Sequence, residues 1–483
     1  VSSQNQKMNL YVVCVTLVAT LGGLLFGYDT AVISGTVASI DEVFIKPQGL
    51  SEISANSLLG FTVASALIGC IIGGFCGGYL SSKYGRKNAL IIAAILFLIS
   101  AIGSAFPELG LKEVADSNSI PYYLSNFVTE FVIYRIIGGV GVGIASMVSP
   151  MYIAEIAPAN VRGKMVSFNQ FAIIAGQLLV YFVNYFIALS GDHTWLNAIG
   201  WRYMFLSEVV PAALFLILLF FVPESPRWLV LKDKLQQAEA VLVRLLGKAR
   251  SEAELHNIRI SLTHRNTVKT PLLAFGIGVI TIGIMLSVFQ QFVGINVALY
   301  YAPEVFKSLG SSTEIALLQT IIMGAINLSF TTIAIFTVDK YGRKPLQIWG
   351  AIGMAIGMFI LGSAFYARLS GTIALAGMLF YVAAFAISWG PVCWVLLAEI
   401  FPNAIRSQAL AIAVAAQWIA NYLVSWTFPM MDKSTYLLEH FNHGFAYWVY
   451  GVMSLLAALF MWKFVPETKG KTLEELELFW KKR

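Results

Sequence analysis

A chain of 483 residues that is 58% hydrophobic and 12% charged carries far more apolar surface than a soluble core can hide, since soluble domains are about 25% charged. Its formal net charge of +6 gathers in connections between apolar stretches, which fits membrane topology and excludes nucleic acid as the expected partner. The chain is read as an all-α integral membrane protein in a lipid bilayer.

Twelve mostly apolar stretches are long enough to span, near 10–34, 57–80, 88–106, 131–153, 164–189, 203–222, 272–297, 315–338, 346–367, 372–397, 408–430 and 445–464. The first follows a short polar tail, is too long for a signal core and contains Asp29, so it is read as a retained span. These stretches divide the chain into a six-helix bundle over 1–222, a linker over 223–271, a second six-helix bundle over 272–465 and a tail over 466–483. In the linker, Leu235 to Leu246 mixes Leu and Val with Lys, Glu and Arg at helical spacing, which predicts short amphipathic helices on the membrane surface. Roughly 25 of the 32 Lys and Arg fall in the two tails and in connections after even-numbered spans. The other connections lean acidic, with Asp41, Glu42, Glu52, Glu108, Glu113 and Asp116. Both termini are therefore expected in the cytoplasm, the whole being a multi-pass protein of the cell (inner) membrane.

The halves are copies of one unit. Lys83-Tyr84-Gly85-Arg86-Lys87 returns as Lys340-Tyr341-Gly342-Arg343-Lys344. Ala154-Glu155-Ile156-Ala157-Pro158 leading to Arg162 is echoed by Ala398-Glu399-Ile400-Phe401-Pro402 leading to Arg406, and Pro223-Glu224-Ser225 by Pro466-Glu467-Thr468. A repeat of about half the chain, with charges at matched places, suits transporter halves that share a mechanical task.

Other signals point to packing. Cys14, Cys70, Cys76 and Cys393 lie within spans without a metal spacing and read as small packing residues. His440 and His443 lack a third ligand, so no metal site is expected. Gly138, Gly139, Gly141 and Gly143 sit inside an apolar helix with no preceding strand, which makes them packing glycines and no nucleotide loop. Gly73 and Gly77, like Gly74 and Gly78, have the four-residue spacing that lets helices approach closely.

Four runs stand together: Gly27-Tyr28-Asp29-Thr30-Ala31-Val32-Ile33-Ser34-Gly35, Pro223-Glu224-Ser225-Pro226-Arg227-Trp228-Leu229, Gln290-Gln291-Phe292-Val293-Gly294-Ile295-Asn296, and Pro466-Glu467-Thr468-Lys469-Gly470. With them, nearly the whole chain resembles the sugar porter family of the major facilitator superfamily, most of all its bacterial D-xylose/proton symporters. The resemblance implies two six-helix bundles that rock about a central site for a monosaccharide. It implies no cofactor, the proton being a co-substrate, and a chain that works as a monomer.

The amides within apolar spans fit such a site. Gln170, Gln177, Gln290, Gln291, Asn296, Asn327 and Gln417 are costly in lipid unless partnered or wetted. An amide both donates and accepts in one plane, as a sugar hydroxyl does, without burying charge. Gln290, Gln291 and Asn296 are the strongest of these, whereas Asn327 and Gln177 equally suit a bond to a neighbouring helix. By the resemblance Trp394 stacks on the sugar, with Phe26, Tyr300 and Trp418 nearby. Gly390-Pro391 ahead of Trp394, and Gly294 in the seventh span, predict helix breaks where transporter sites tend to lie.

The charges divide into two groups. Asp29 and Arg135 lie in the first and fourth spans, where burial is expensive unless they pair or do work. The resemblance assigns the proton to Asp29, with Arg135 modulating it and Glu208 as the next candidate, against a static ion pair as the plain alternative. Arg86, Glu155, Arg162 and Glu224 in one half, and Arg343, Glu399, Arg406 and Glu467 in the other, are implied to pair between halves as a cytoplasmic gate that holds the inside shut when the site faces out; a purely topological role is the alternative. Ser82 stands where the first loop motif usually has Asp or Asn, Asp339 keeps that residue in the second, and Ser407 follows Arg406 where Gly is usual. Proton-coupled import of a monosaccharide, D-xylose in first place, is the expected function. A passive facilitator or a non-transporting sensor is the alternative, and an enzyme is not expected because no nucleophile or metal constellation is present.

Overall fold

The computed structural model describes residues 10–109, 124–158, 162–265, 271–369, 371–402 and 405–469. The acidic pair Glu113 and Asp116, the first nine residues and the tail beyond 469 lie outside the described residues, as do the side chains of Arg162, Asp339 and Ser407.

Twelve helical segments are long and apolar enough to cross a membrane. They are Leu10–Gly35, Glu52–Tyr84, Arg86–Ala105, Ser125–Ile156, Met165–Ala188, His193–Leu219, Ile277–Tyr300, Thr313–Val338, Arg343–Tyr366, Gly371–Leu397, Gln408–Asp432 and Gly444–Phe464. Several outrun the apolar stretch that signals them: the second begins at Glu52 and the sixth at His193, because helix continues past the hydrocarbon into polar turns. The linker folds as three helices, Pro226–Leu231, Leu235–Leu246 and Lys248–Arg265. The middle one buries Ala238, Leu242 and Leu245 on one face.

Packing follows the repeat. The second and third spans both pack on the fourth, and the ninth packs on the tenth; the first packs on the fifth, and the seventh on the eleventh. Between the halves, the second span packs on the eleventh and the fifth on the eighth. Small residues permit the closest crossing, where a Cβ on Gly139 would stand 1.8 Å from the carbonyl oxygen of Ala66. Gly73 has the same role against Val140, but Gly74 has nothing within 4 Å of its Cβ position. The Cβ positions of Gly77 and Gly78 lie 3.3 and 3.2 Å from Ile144 and Met147, so both pairs border the fourth span, and of the four the approach is tightest at Gly73. Cys70 and Cys393 are buried as packing residues, whereas Cys14 and Cys76 are exposed on span surfaces, where their small size serves no packing.

Candidate functional site

Two helix breaks shape the centre of the second half. The seventh span is helical over Ile277–Phe292, turns at Gly294 with φ +91°, and resumes over Ile295–Tyr300. The tenth ends one segment at Ile387 and starts the next at Pro391. A break frees backbone groups for side-chain partners, and Gln290 uses one: its Nε2 donates to the carbonyl of Trp389 at 2.9 Å. Gln417 donates to Gln290 Oε1, Gln291 Nε2 donates to the same atom at 3.4 Å, and Asn296 donates to Gln291 Oε1. Four amides from the seventh and eleventh spans thus form one hydrogen-bonded cluster.

Phe26 of the first span meets Trp418 of the eleventh with ring centroids 5.7 Å apart, bringing an aromatic surface from the other half to the residue beside Gln417. Trp394 is 37% exposed, so much of its ring face is open. Tyr300 is buried close to Asn421 of the eleventh span, which accepts from Ser425 Oγ at 3.1 Å. Gln170 and Gln177 stand two helical turns apart on the fifth span, and Asn327 is buried on the eighth span packed against it; none joins the amide cluster. Two members escaped sequence reasoning. Asn421 lies one helical turn beyond Gln417, a spacing that signals it; Trp389 acts through its carbonyl, for which residue type gives no signal.

A second cluster lies within the first half. Arg135 Nη1 donates to Asp29 Oδ1 at 2.9 Å, and Nη2 donates to the Asp29 carbonyl at 3.1 Å. The side chains are 1% and 0% exposed. Glu208, fully buried, lies against both. Asp29 Oδ2 and both carboxylate oxygens of Glu208 have no hydrogen-bond partner. Two carboxyl groups beside one guanidinium have room for one proton more than the fully ionised set, which is what a proton carrier requires.

The repeated charges form matched clusters, each closed within its own half. Arg86 binds Glu155 through Nε and Nη2 at 2.9 and 2.8 Å, and Arg343 binds Glu399 in the same way at 3.0 and 2.7 Å. Glu224 accepts from the backbone N–H of Arg86 at 2.9 Å and Glu467 from that of Arg343 at 3.1 Å, each at a helix N-terminus where negative charge is favoured. Ser225 and Thr468 each donate to the neighbouring carboxylate, Glu155 or Glu399. Burial raises Glu224 above the usual carboxylate range, and the backbone donors offset this in part. Arg406 donates to the carbonyl of Phe401 at 3.0 Å. Among the described side chains these ion pairs lie within one half, whereas the pairing between halves is expected for the state whose site faces out.

The sugar (and other) transporter family model matches residues 15–480. The D-xylose-proton symporter of Escherichia coli K12 is 69% identical, over 98% of this chain and 97% of that one. The glucose facilitated diffusion protein of Zymomonas mobilis is 42% identical, over 96% of each. Among solved structures, the inward open conformation of the xylose transporter XylE from E. coli aligns with a TM-score of 0.89 at 66% identity, covering 97% of this chain and 100% of that one. The chain therefore belongs to the sugar (and other) transporter family, whose members are transport proteins and not enzymes.

Proposed function

We propose that this chain imports D-xylose together with a proton by alternating access. The sugar sits among Gln290, Gln291, Asn296 and Gln417, with Gln170, Gln177 and Asn327 completing the polar lining and Trp394, Phe26, Tyr300 and Trp418 the apolar one. The basic end, with Arg86, Glu155, Arg162, Glu224, Arg343, Glu399, Arg406 and Glu467, faces the cytoplasm with both termini, and a single chain is sufficient.

The observation that carries the reading is the buried Asp29–Arg135 pair with Glu208 against it. Passive sugar movement has no use for so costly a group. Protonation of Asp29 loosens its hold on Arg135, and sugar binding with rocking of the halves then favours release of the proton inward.

Sugar uptake into proteoliposomes with an imposed pH gradient tests this. The parent accumulates D-xylose above its outside concentration, whereas Asp29→Asn binds and exchanges the sugar without accumulating it. Undiminished accumulation by that variant would reject Asp29 as the coupling group. Passive facilitation, the activity named for the Zymomonas relative, predicts that even the parent stops at equal concentrations.

A further inference from the structure

Many buried hydroxyls in the spans turn back onto their own helix, as Thr30, Thr62, Thr320 and Ser454 do by donating to the carbonyl four residues earlier. Ser100 and Ser104 of the third span do not, nor do Thr16, Ser34, Ser149 and Ser287, but of these only Ser100 and Ser104 form a pair one turn apart. Both are fully buried, and neither hydroxyl has a protein partner. They stand one helical turn apart on one face.

Ser100 points toward the proton cluster. A Cβ on Gly138 of the fourth span would lie 2.3 Å from Ser100 Oγ and 3.0 Å from Asp29 Oδ1. A hydroxyl of the third span and the carboxylate of the first therefore meet across the notch that the missing side chain leaves. Ser104 lies one turn closer to the outer end, where Glu130 opens the fourth span with one buried carboxylate oxygen also unpartnered. Leaving polar atoms unsatisfied in a dry apolar seam is costly, and a file of buried polar atoms is where ordered water is retained. Serine used only to fill volume would be replaced by alanine at no polar penalty.

We propose that Ser104 and Ser100 hold a water file running from the outer end of the third and fourth spans to Asp29, and that the transported proton enters along it. Each hydroxyl accepts a proton from the outer side and donates its own inward, so it ends unchanged, and the Asp29 carboxylate ends as the neutral acid. The notch opens on Asp29 Oδ1, which also accepts from Arg135, while Oδ2 has no donor; Glu208, Tyr300 and the buried Cys70 are ionisable neighbours of the group. The inference rests on the proton-coupling reading above.

The test uses the full chain in proteoliposomes, comparing Ser100→Ala, Ser104→Ala and Ser100→Thr with the parent and Asp29→Asn. Two rates are read: uptake driven by a pH gradient, and exchange of labelled for unlabelled D-xylose, which moves no net proton. Ser100→Ala should slow driven uptake by about a hundredfold, the low side of what a positioned proton-transfer group contributes. Exchange should stay within about twofold of the parent, Ser104→Ala should show the same split more weakly, and Ser100→Thr, which keeps a hydroxyl, should restore driven uptake. If both alanine variants match the parent in driven uptake while Asp29→Asn abolishes it, the water file is overturned and the coupling reading stands. Equal loss of both rates would mark the serines as structural and also overturn it. If Asp29→Asn accumulates sugar normally, the coupling reading falls and the proposal falls with it.

Discussion

The two ends of the molecule are held on different plans. At the outer end the contacts cross between halves: Lys433 Nζ meets Asp41 at 2.7 Å, Glu52 accepts from the backbone N–H of Thr435 at 2.7 Å, and Trp426 Nε1 donates to the Ser57 carbonyl at 3.1 Å. A Cβ on Gly60 would stand 2.1 Å from the carbonyl oxygen of Trp426, so the second and eleventh spans are in backbone contact there. At the basic end, among the described residues, the ion pairs of Arg86 and Arg343 stay within one half. The end opposite the basic loops is therefore held shut between halves, which under the proposed orientation is the arrangement of an inward-facing carrier. Strong buried clusters make each half a rigid body, and weak exposed contacts decide how the bodies lean.

Removing a cluster should have the largest effect. Arg86 and Glu155 are each 9% exposed, so Arg86→Ala leaves a buried carboxylate without its partner, at a cost of about 3–5 kcal/mol. A marked fall in the thermal unfolding temperature of the detergent-purified protein is expected. Glu399 is 27% exposed and partly solvated, so Arg343→Ala should lower that temperature less. Equal losses would show that the two halves are braced alike.

The loop glycines come next. Gly85 has φ +101° and its Cβ position lies 2.1 Å from Glu224 Oε2, whereas Gly342 has φ +92° and 2.9 Å to Glu467. Gly85→Ala should cost about 1–3 kcal/mol through backbone strain and displacement of the capping carboxylate, with Gly342→Ala the milder of the two in the same melt.

At the outer end the effects shrink. Lys433→Ala removes an ion pair that crosses halves while its side chain is 31% exposed, a contact of about 0.2–1 kcal/mol. That corresponds to at most about a fivefold shift of population toward outward-facing. Thiol labelling of a cysteine placed on the cytoplasmic side should slow accordingly, and an unchanged rate would remove this pair from the balance.

The smallest effect concerns pH. Burial of the His443 ring opposes its charging, but the hydrogen bond at 2.9 Å and the charge of Asp432 outweigh it, so its pKa lies above the ordinary 6.5. The stabilising contact is complete below the ordinary value and fades as pH rises through the raised one. The difference in melting temperature between the parent and His443→Ala should therefore be greater at about pH 5.5 than at about pH 8.5. A difference independent of pH would mean the ring acts by packing alone.

Local signals carried well from sequence. Gly294 and Gly390-Pro391 announced helix breaks because glycine and proline act on their own backbone, and the duplicated Gly-Arg-Lys loops announced matched turns. Asp29 and Arg135 stood out because charge in an apolar helix is rare. Contacts between distant segments were hidden. Asp41 and Glu52 read only as acids of an outer connection, since nothing local ties them to Lys433 and Thr435 across most of the chain. The Arg and Glu residues of the repeats could pair across halves or within them, and composition does not choose. Ser100 gives no signal in the sequence, since its place beside Asp29 is set by a glycine on another span.

The amide cluster has a consequence for how tightly the carrier holds its cargo. Gln417 and Gln291 already spend a donor on Gln290 Oε1, Asn296 one on Gln291 Oε1, and Gln290 one on a main-chain carbonyl. With the sugar placed among these amides as proposed, an arriving hydroxyl must exchange one hydrogen bond for another, so the net gain per contact is a fraction of its gross strength. The reverse holds on departure, when the amides close on each other and Gln417 Oε1 is left buried without a partner. A site built this way binds only as firmly as its stacking surfaces and its fit allow, and it empties readily, which suits a protein whose work is to let go.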